Sequence, residues 1–455
     1  MSALNTSSRG PHPTLDAREA ITKPNKNHLY SILFAAFIIL SGSLSREAAA
    51  AFATFIVILE FSFNKNVYKN GLYATTPIIG IVLLGSASAV FNNFPIYDIF
   101  RDAFYWFRLI PMIYCGYILG RHLSAKQLLT SLAFSASMLA TFYSINFFLT
   151  SNSGELSREA LRLKIGRGNA EWFYGFAASI ILLLESRRHK NSPLPYLAFA
   201  SMIAIAAAVS NSRTAFITII ILTLSVTSII GTRIVAYILA PFCAVAFAIL
   251  STPIHSLMFG SFIADHFHQM PRSVSELITL DQKNFVDINE YWRSFESMSA
   301  YNTYLAGNVF QYIFGHGFGQ QFSIGINFTR LGETYSTLPI SHNAIPYVLI
   351  KSGLLGLVLY CLFIFINLRA GLLECKRALT PMHRAIGGLI VGIAAFWLIS
   401  TPTTRGFVDL GATGLTVCGA LISCLNRRQQ MPSRLPKPVP TFGGPRTRLA
   451  EEERA

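Results

Sequence analysis

Long apolar runs alternate with short polar breaks along most of this chain. A helix that crosses a bilayer needs about 20 mostly apolar residues. On that measure the pattern predicts twelve spans, over 29–44, 48–63, 72–91, 102–120, 127–150, 170–185, 194–210, 213–230, 232–251, 340–367, 384–402 and 405–425. Only Ser45-Arg46-Glu47 divides the first pair, and only Pro402-Thr403-Thr404-Arg405 divides the last. The predicted organisation is a polar tail (1–28), helices one to nine (29–251), a large loop (252–339), helices ten to twelve (340–425) and a tail rich in Pro, Arg and Gln that reads as disordered (426–455). The fold class is all-α and polytopic. No internal repeat is evident.

Within the large loop, Tyr291, Phe295, Met298, Tyr301, Leu305, Val309 and Ile313 recur at spacings of three and four, which predicts an amphipathic helix. Such a helix lies on the membrane surface or caps the bundle. The loop is net acidic: Arg272, Lys283, Arg293 and Arg330 stand against Asp265, Glu276, Asp281, Asp287, Glu290, Glu296 and Glu333. A second polar stretch lies between the fifth and sixth spans, at about 151–169.

Composition supports the membrane reading. Of 455 residues, 52% are hydrophobic and 13% charged, where a soluble domain has about 25% charged. That excludes a disordered, collagen-like or ordinary cytosolic chain. The net charge of +15 bears on orientation. With the N-terminus in the cytoplasm, the short cytoplasmic loops collect Lys65, Lys69, Arg121, Lys126, Arg187, Arg188, Lys190, Arg233, Arg369, Lys376, Arg377 and Arg384, and both tails are basic. Both termini are thus expected in the cytoplasm and the large loop on the opposite face. The excess is explained by loops and tails, and nucleic acid is not expected as a partner. The six cysteines have no CxxC spacing and suggest neither a disulfide framework nor a zinc site. No cleaved signal peptide is evident.

Three features on the outer face could carry chemistry. Ser212-Arg213-Thr214 forms a tight turn between two spans. Arginine is rare near hydrocarbon without a purpose, so Arg213 reads either as a residue reaching lipid headgroups or as an anion ligand. Arg293 lies off the apolar stripe of the loop helix, and Gly315-His316-Gly317-Phe318-Gly319 follows it, a run in which backbone can approach backbone or ligand closely. Ser341-His342-Asn343 stands where the chain re-enters the membrane, nine residues before Gly353-Leu354-Leu355-Gly356. Ser341 is a plausible N-cap. His342 in the first helical turn would face the positive dipole end, which favours the neutral imidazole. It is either a general base for a sugar hydroxyl or an interfacial residue with a structural hydrogen bond. Arginines beside a neutral histidine suit a lipid diphosphate leaving group, because guanidinium forks match phosphate oxygens and the developing charge. No Asp-x-Asp motif holds a divalent ion, and Asp265-His266-Phe267-His268 lacks a partner motif. No metal or other cofactor is expected.

The S-R-T at the head of one span, an arginine before an amphipathic helix, G-x-G-F-G and H-N-x9-G-L-L-G together resemble the O-antigen ligase and polymerase superfamily, most closely over about 205–360. These are bacterial inner-membrane glycosyltransferases acting on undecaprenyl diphosphate-linked glycans. The resemblance implies a GT-C-like fold, His342 as the essential histidine, and Arg213 and Arg293 as diphosphate ligands. Arg272, Arg167 of Arg167-Gly168-Asn169, and Asn343 are further substrate-binding candidates. Relatives often have an acidic residue two positions before the motif glycine, where this chain has Lys351. Lys351 and Arg108, both inside predicted spans, must pair, snorkel or meet a ligand. The implied activity is that of an O-antigen ligase moving a polysaccharide from undecaprenyl diphosphate to lipid A-core in the periplasmic leaflet, inverting and independent of ATP. The alternative is the polymerase, whose acceptor is another lipid-linked repeat; a third relative glycosylates proteins. A transporter or flippase is the reading from another class, with the polar span residues along its path. Against it, the halves show no repeat and the polar signals gather on one face.

Overall fold

The computed structural model describes residues 26–63, 69–151, 171–210, 213–230, 292–330, 333–409 and 411–430. The predicted ninth span, 232–251, and most of both tails lie outside these residues. The helices are α1 (Lys26–Ser43), α2 (Arg46–Phe63), α3 (Lys69–Val90), α4 (Ile96–Phe107), α5 (Leu109–Arg121), α6 (Ala125–Ser151), α7 (Glu171–Arg188), α8 (Leu194–Ser210) and α9 (Arg213–Ile230). After the large loop's undescribed part come α10 (Trp292–Leu305), α11 (Val309–Phe314), strands β1 (Phe322–Arg330) and β2 (Glu333–Leu338), then α12 (Ala344–Arg377), α13 (Pro381–Thr404) and α14 (Gly411–Gln430).

The chain is mostly helical. Among the described residues three helices are long and apolar enough to cross a membrane: α6 over Ala125–Thr150, α12 and α13. Shorter apolar helical stretches run over His28–Ser43, Thr75–Val90, Leu194–Ala208, Ile217–Thr227 and Thr413–Asn426. The protein is therefore a helical membrane protein. Small residues let its helices meet: a Cβ at Gly116 or Gly120 of α5 would fall on the backbone of Thr416 or Ala420 in α14, and Gly419 meets the Ile113 carbonyl in return. Close backbone approach of this kind substitutes for a hydrophobic driving force between helices in lipid.

Three local expectations change. The predicted fourth span, 102–120, is two helices that meet at Arg108. In α4, Asp98, Asp102 and Trp106 recur every four residues on the buried side, while Ile96, Tyr97, Phe100 and Phe107 are exposed. The polar face turns inward because its charged partners are there. The single amphipathic helix predicted through 291–313 is broken at Ala306-Gly307-Asn308. Asn308 starts α11 with a capping box: its Oδ1 accepts from Gln311 N, and Gln311 Oε1 accepts from Asn308 N, both at 2.9 Å. Finally, the all-α expectation missed an antiparallel hairpin, which pairs Phe322 with Leu338 and Ser323 with Thr337 and is irregular between Ser323 and Phe328. Phe322 and Ile324 alternate inward and pack with Ala300 of α10 and Ile350 of α12 in a small core of their own. That core seats α10 and the hairpin on the first turns of α12.

Candidate functional site

The site is built around the entrance to α12. Asn343 caps the helix, its Oδ1 accepting from Ile345 N at 3.0 Å, and Ser341 Oγ accepts from Asn343 N at 3.2 Å. The cap is thus Asn343 rather than Ser341, because its side chain reaches two residues on to the first free N–H. Asn343, a substrate-binding candidate by sequence, uses its side-chain oxygen for this. His342 consequently sits before the first turn, and a carboxylate rather than the helix dipole determines its surroundings.

That carboxylate is Glu296 of α10, 1% exposed. Its Oε1 accepts the His342 backbone N–H at 2.9 Å, and its Oε2 lies 2.7 Å from His342 Nδ1. With the carboxylate accepting, Nδ1 is the donor, and in the neutral ring Nε2 then carries the lone pair. The His342 side chain is 48% exposed, which leaves the ring open to a ligand from outside. Arg293 lies three residues before Glu296 on the same helix, about 4.5 Å along its axis and on the same side; it is half-buried and has interactions of its own. The structure therefore brings His342 to the helix that carries Arg293, through a glutamate that the sequence reading counted only among the loop's acids. The available signal was an acid one turn from the candidate arginine.

The glycine motifs are explained by docking. Gly315, Gly317, Gly319 and Gly353 all have positive φ. A Cβ on Gly353 would collide with the Ile313 carbonyl and Gly315 N, and one on Gly317 with the backbone of Ala89 in α3. His316 N donates to the Ile350 carbonyl at 2.7 Å, and Phe318 N to the Gly85 carbonyl at 2.9 Å. The turn thus locks the loop onto α3 and α12 by backbone contacts. Burial, with Lys351 nearby, lowers the pKa of the His316 imidazole and favours its neutral form. Lys351 pairs rather than snorkels: Nζ meets Asp102 Oδ2 of α4 at 2.5 Å and donates to the Gln320 carbonyl, and the same Asp102 oxygen accepts from Gly319 N at 2.8 Å.

On the other side of His342, its carbonyl accepts from Arg405 N at 2.7 Å. Arg405 ends α13 in the left-handed conformation, with φ 55°. Its side chain forks onto Asp409, which Arg46 also contacts, and Arg108 stands beside them with its guanidinium 4.9 Å over the Tyr105 ring. Arg46 and Arg405 entered the sequence reading only as separators of spans. Arginines in the short turns between apolar segments, where a charge beside hydrocarbon is costly, were the signal.

Arg213 is the first residue of α9, whose middle packs on α13 where Leu222 and Ser225 meet Gly392. Arg167, Arg272 and the Asp265-His266-Phe267-His268 segment lie outside the described residues. Among the described residues no group of three His, Cys, Asp or Glu side chains is arranged to hold a metal ion. No protein-family model and no curated protein matches the chain. Fold and site together define a helical membrane protein with a carboxylate-held histidine at the mouth of α12, the longest helix among the described residues.

Proposed function

We propose that the protein is an inner-membrane O-antigen ligase, a glycosyltransferase that moves a polysaccharide from undecaprenyl diphosphate to lipid A-core on the periplasmic face. The observation that supports this best is the pairing of His342 with Glu296, one turn from Arg293 on α10. A histidine whose Nδ1–H ends on a buried carboxylate presents Nε2 as a base, as general-base catalysis requires. Nε2 takes the proton of the acceptor hydroxyl, and the freed oxygen attacks the anomeric carbon. The carbon–oxygen bond to the diphosphate breaks in the same step, which inverts the centre. Arg293 and Arg213 hold the departing diphosphate, whose charge grows as the bond breaks. The energy resides in the donor, so neither ATP nor metal is needed.

Twelve crossings with both termini in the cytoplasm complete the proposal. With alternate crossings, α9 descends from the outer face while α13 rises to it. Arg213, at the head of α9, and Arg405, past the end of α13, then share the outer end of the bundle with His342.

The test is transfer by purified protein reconstituted with lipid-linked glycan donor and lipid A-core acceptor. Wild type should yield glycan attached to the core. His342→Ala should abolish transfer at unchanged protein level, and Arg293→Lys should be poor because an ammonium is a point charge rather than a fork. Transfer to a second lipid-linked repeat instead of the core would make the protein the polymerase. Full activity of His342→Ala would refute the general base.

A further inference from the structure

The turns that separate the first and last pairs of apolar segments come from opposite ends of the chain and meet on one carboxylate. Asp409 Oδ1 receives Arg46 Nη1 at 2.9 Å, and Oδ2 receives Arg405 Nε at 2.8 Å, while Arg405 Nη2 also reaches Oδ1. Arg108 adjoins them, its Nη2 donating to the Val408 carbonyl at 3.2 Å. Three guanidinium groups therefore share one enclosed carboxylate; Glu47 is exposed but also acts electrostatically on Arg108 and Arg46, which leaves three cations against two carboxylates. Exposure grades inward: the side chains of Arg46 and Arg405 are 50% and 7% exposed, and Arg108 is 1% exposed. Arg108 Nε and Nη1 and Arg405 Nη1 are buried without a hydrogen-bond partner.

Buried guanidinium donors without acceptors are costly, and an excess of positive charge in a low-dielectric setting adds to that cost. An anion with several acceptor oxygens removes both penalties, and phosphate oxygens fit the guanidinium fork bidentately. We infer that Arg46, Arg108 and Arg405 form a phosphoryl-anion site at the outer end of the bundle, built from residues other than Arg213 and Arg293. Arg46 is the exposed arm that meets the ligand first. Arg405 and Arg108 form the inner wall, and their free N–H groups turn onto the remaining phosphoryl oxygens. Because Arg405 N also holds the His342 carbonyl, occupancy is felt at the transfer centre. The ligand is a phosphate ester or diphosphate, borne on a lipid headgroup or free in solution.

The test is binding, so it needs neither donor nor acceptor glycan, and its failure is separable from failure of the transfer reading. Full-length protein is heated in detergent with and without inorganic pyrophosphate, against sodium chloride of equal ionic strength, and in nanodiscs of phosphatidylcholine with and without phosphatidic acid. A ligand that binds the folded state raises Tm. Wild type should respond to at least one probe, and Arg46→Gln, altered at an exposed position, should need about tenfold more of it, as for one lost charge-assisted contact. Arg108→Met should weaken the response further. A response to pyrophosphate identifies a free or leaving diphosphate as the source; a response confined to phosphatidic acid identifies a headgroup. Wild type unmoved by both probes, or Arg46→Gln responding like wild type, would overturn the proposal.

Discussion

Glu296→Gln keeps the size of the side chain and removes its charge. In the native protein two donors, the His342 backbone N–H at 2.9 Å and Nδ1–H at 2.7 Å, end on the buried carboxylate. Glutamine offers them one carbonyl and one amide NH2. If the carbonyl keeps the backbone N–H, the NH2 faces Nδ1 and the ring must move its proton to Nε2, so the nitrogen meant to act as base has no lone pair. If the carbonyl takes Nδ1–H instead, the NH2 opposes the backbone N–H and the turn before α12 is forced open. Either way one charge-assisted hydrogen bond goes, costing roughly 1.5–3 kcal/mol of stability. Transfer should fall much further, by about 10²–10⁴, the range for losing a general base or fixing the wrong tautomer. The assay is the rate of glycan transfer by purified variants, read beside their thermal unfolding. A Glu296→Gln protein within about threefold of wild type, while His342→Ala is inactive, would refute the tautomer argument and leave Glu296 as an anchor only.

Two further substitutions test the scaffold under the site. Gly353 has φ 66° and ψ −165°, a region open essentially to glycine, so Gly353→Ala should cost about 1–3 kcal/mol from backbone strain alone, with the collision against α11 in addition; thermal unfolding and folded yield in detergent measure it. Lys351→Met leaves Asp102 buried with only Arg101, at 3.4 Å, as a cation and should destabilise by up to about 3–5 kcal/mol, whereas Lys351→Met with Asp102→Asn should recover much of that; a double variant no more stable than the single would show that the ion pair is not the cause.

Much of the helical plan was legible. The boundaries of α1, α2, α8 and α9 fall within a few residues of apolar runs visible in the chain. The hairpin was missed although Phe322, Ile324 and Ile326 alternate with polar or small residues, because nine such residues inside a long polar loop lack the length that marks a span. The break at Arg108 was missed because the apolar residues of α4 face outward and merge with those of α5 in any running average.

His342 and Arg293 were legible as candidates because polar residues beside apolar segments are costly and few. Their relation was not. Glu296 lies 46 positions from His342, and Arg46 lies 363 positions from Asp409. The sequence by itself determined which segments are apolar and helical, since hydrophobicity and its period are local properties of neighbouring residues. The tertiary structure alone decided which charge faces which. A contact across hundreds of positions leaves no periodic trace in one chain; it arises only when close-packed glycines and the small core of Ala300, Phe322, Ile324 and Ile350 bring α10 against α12.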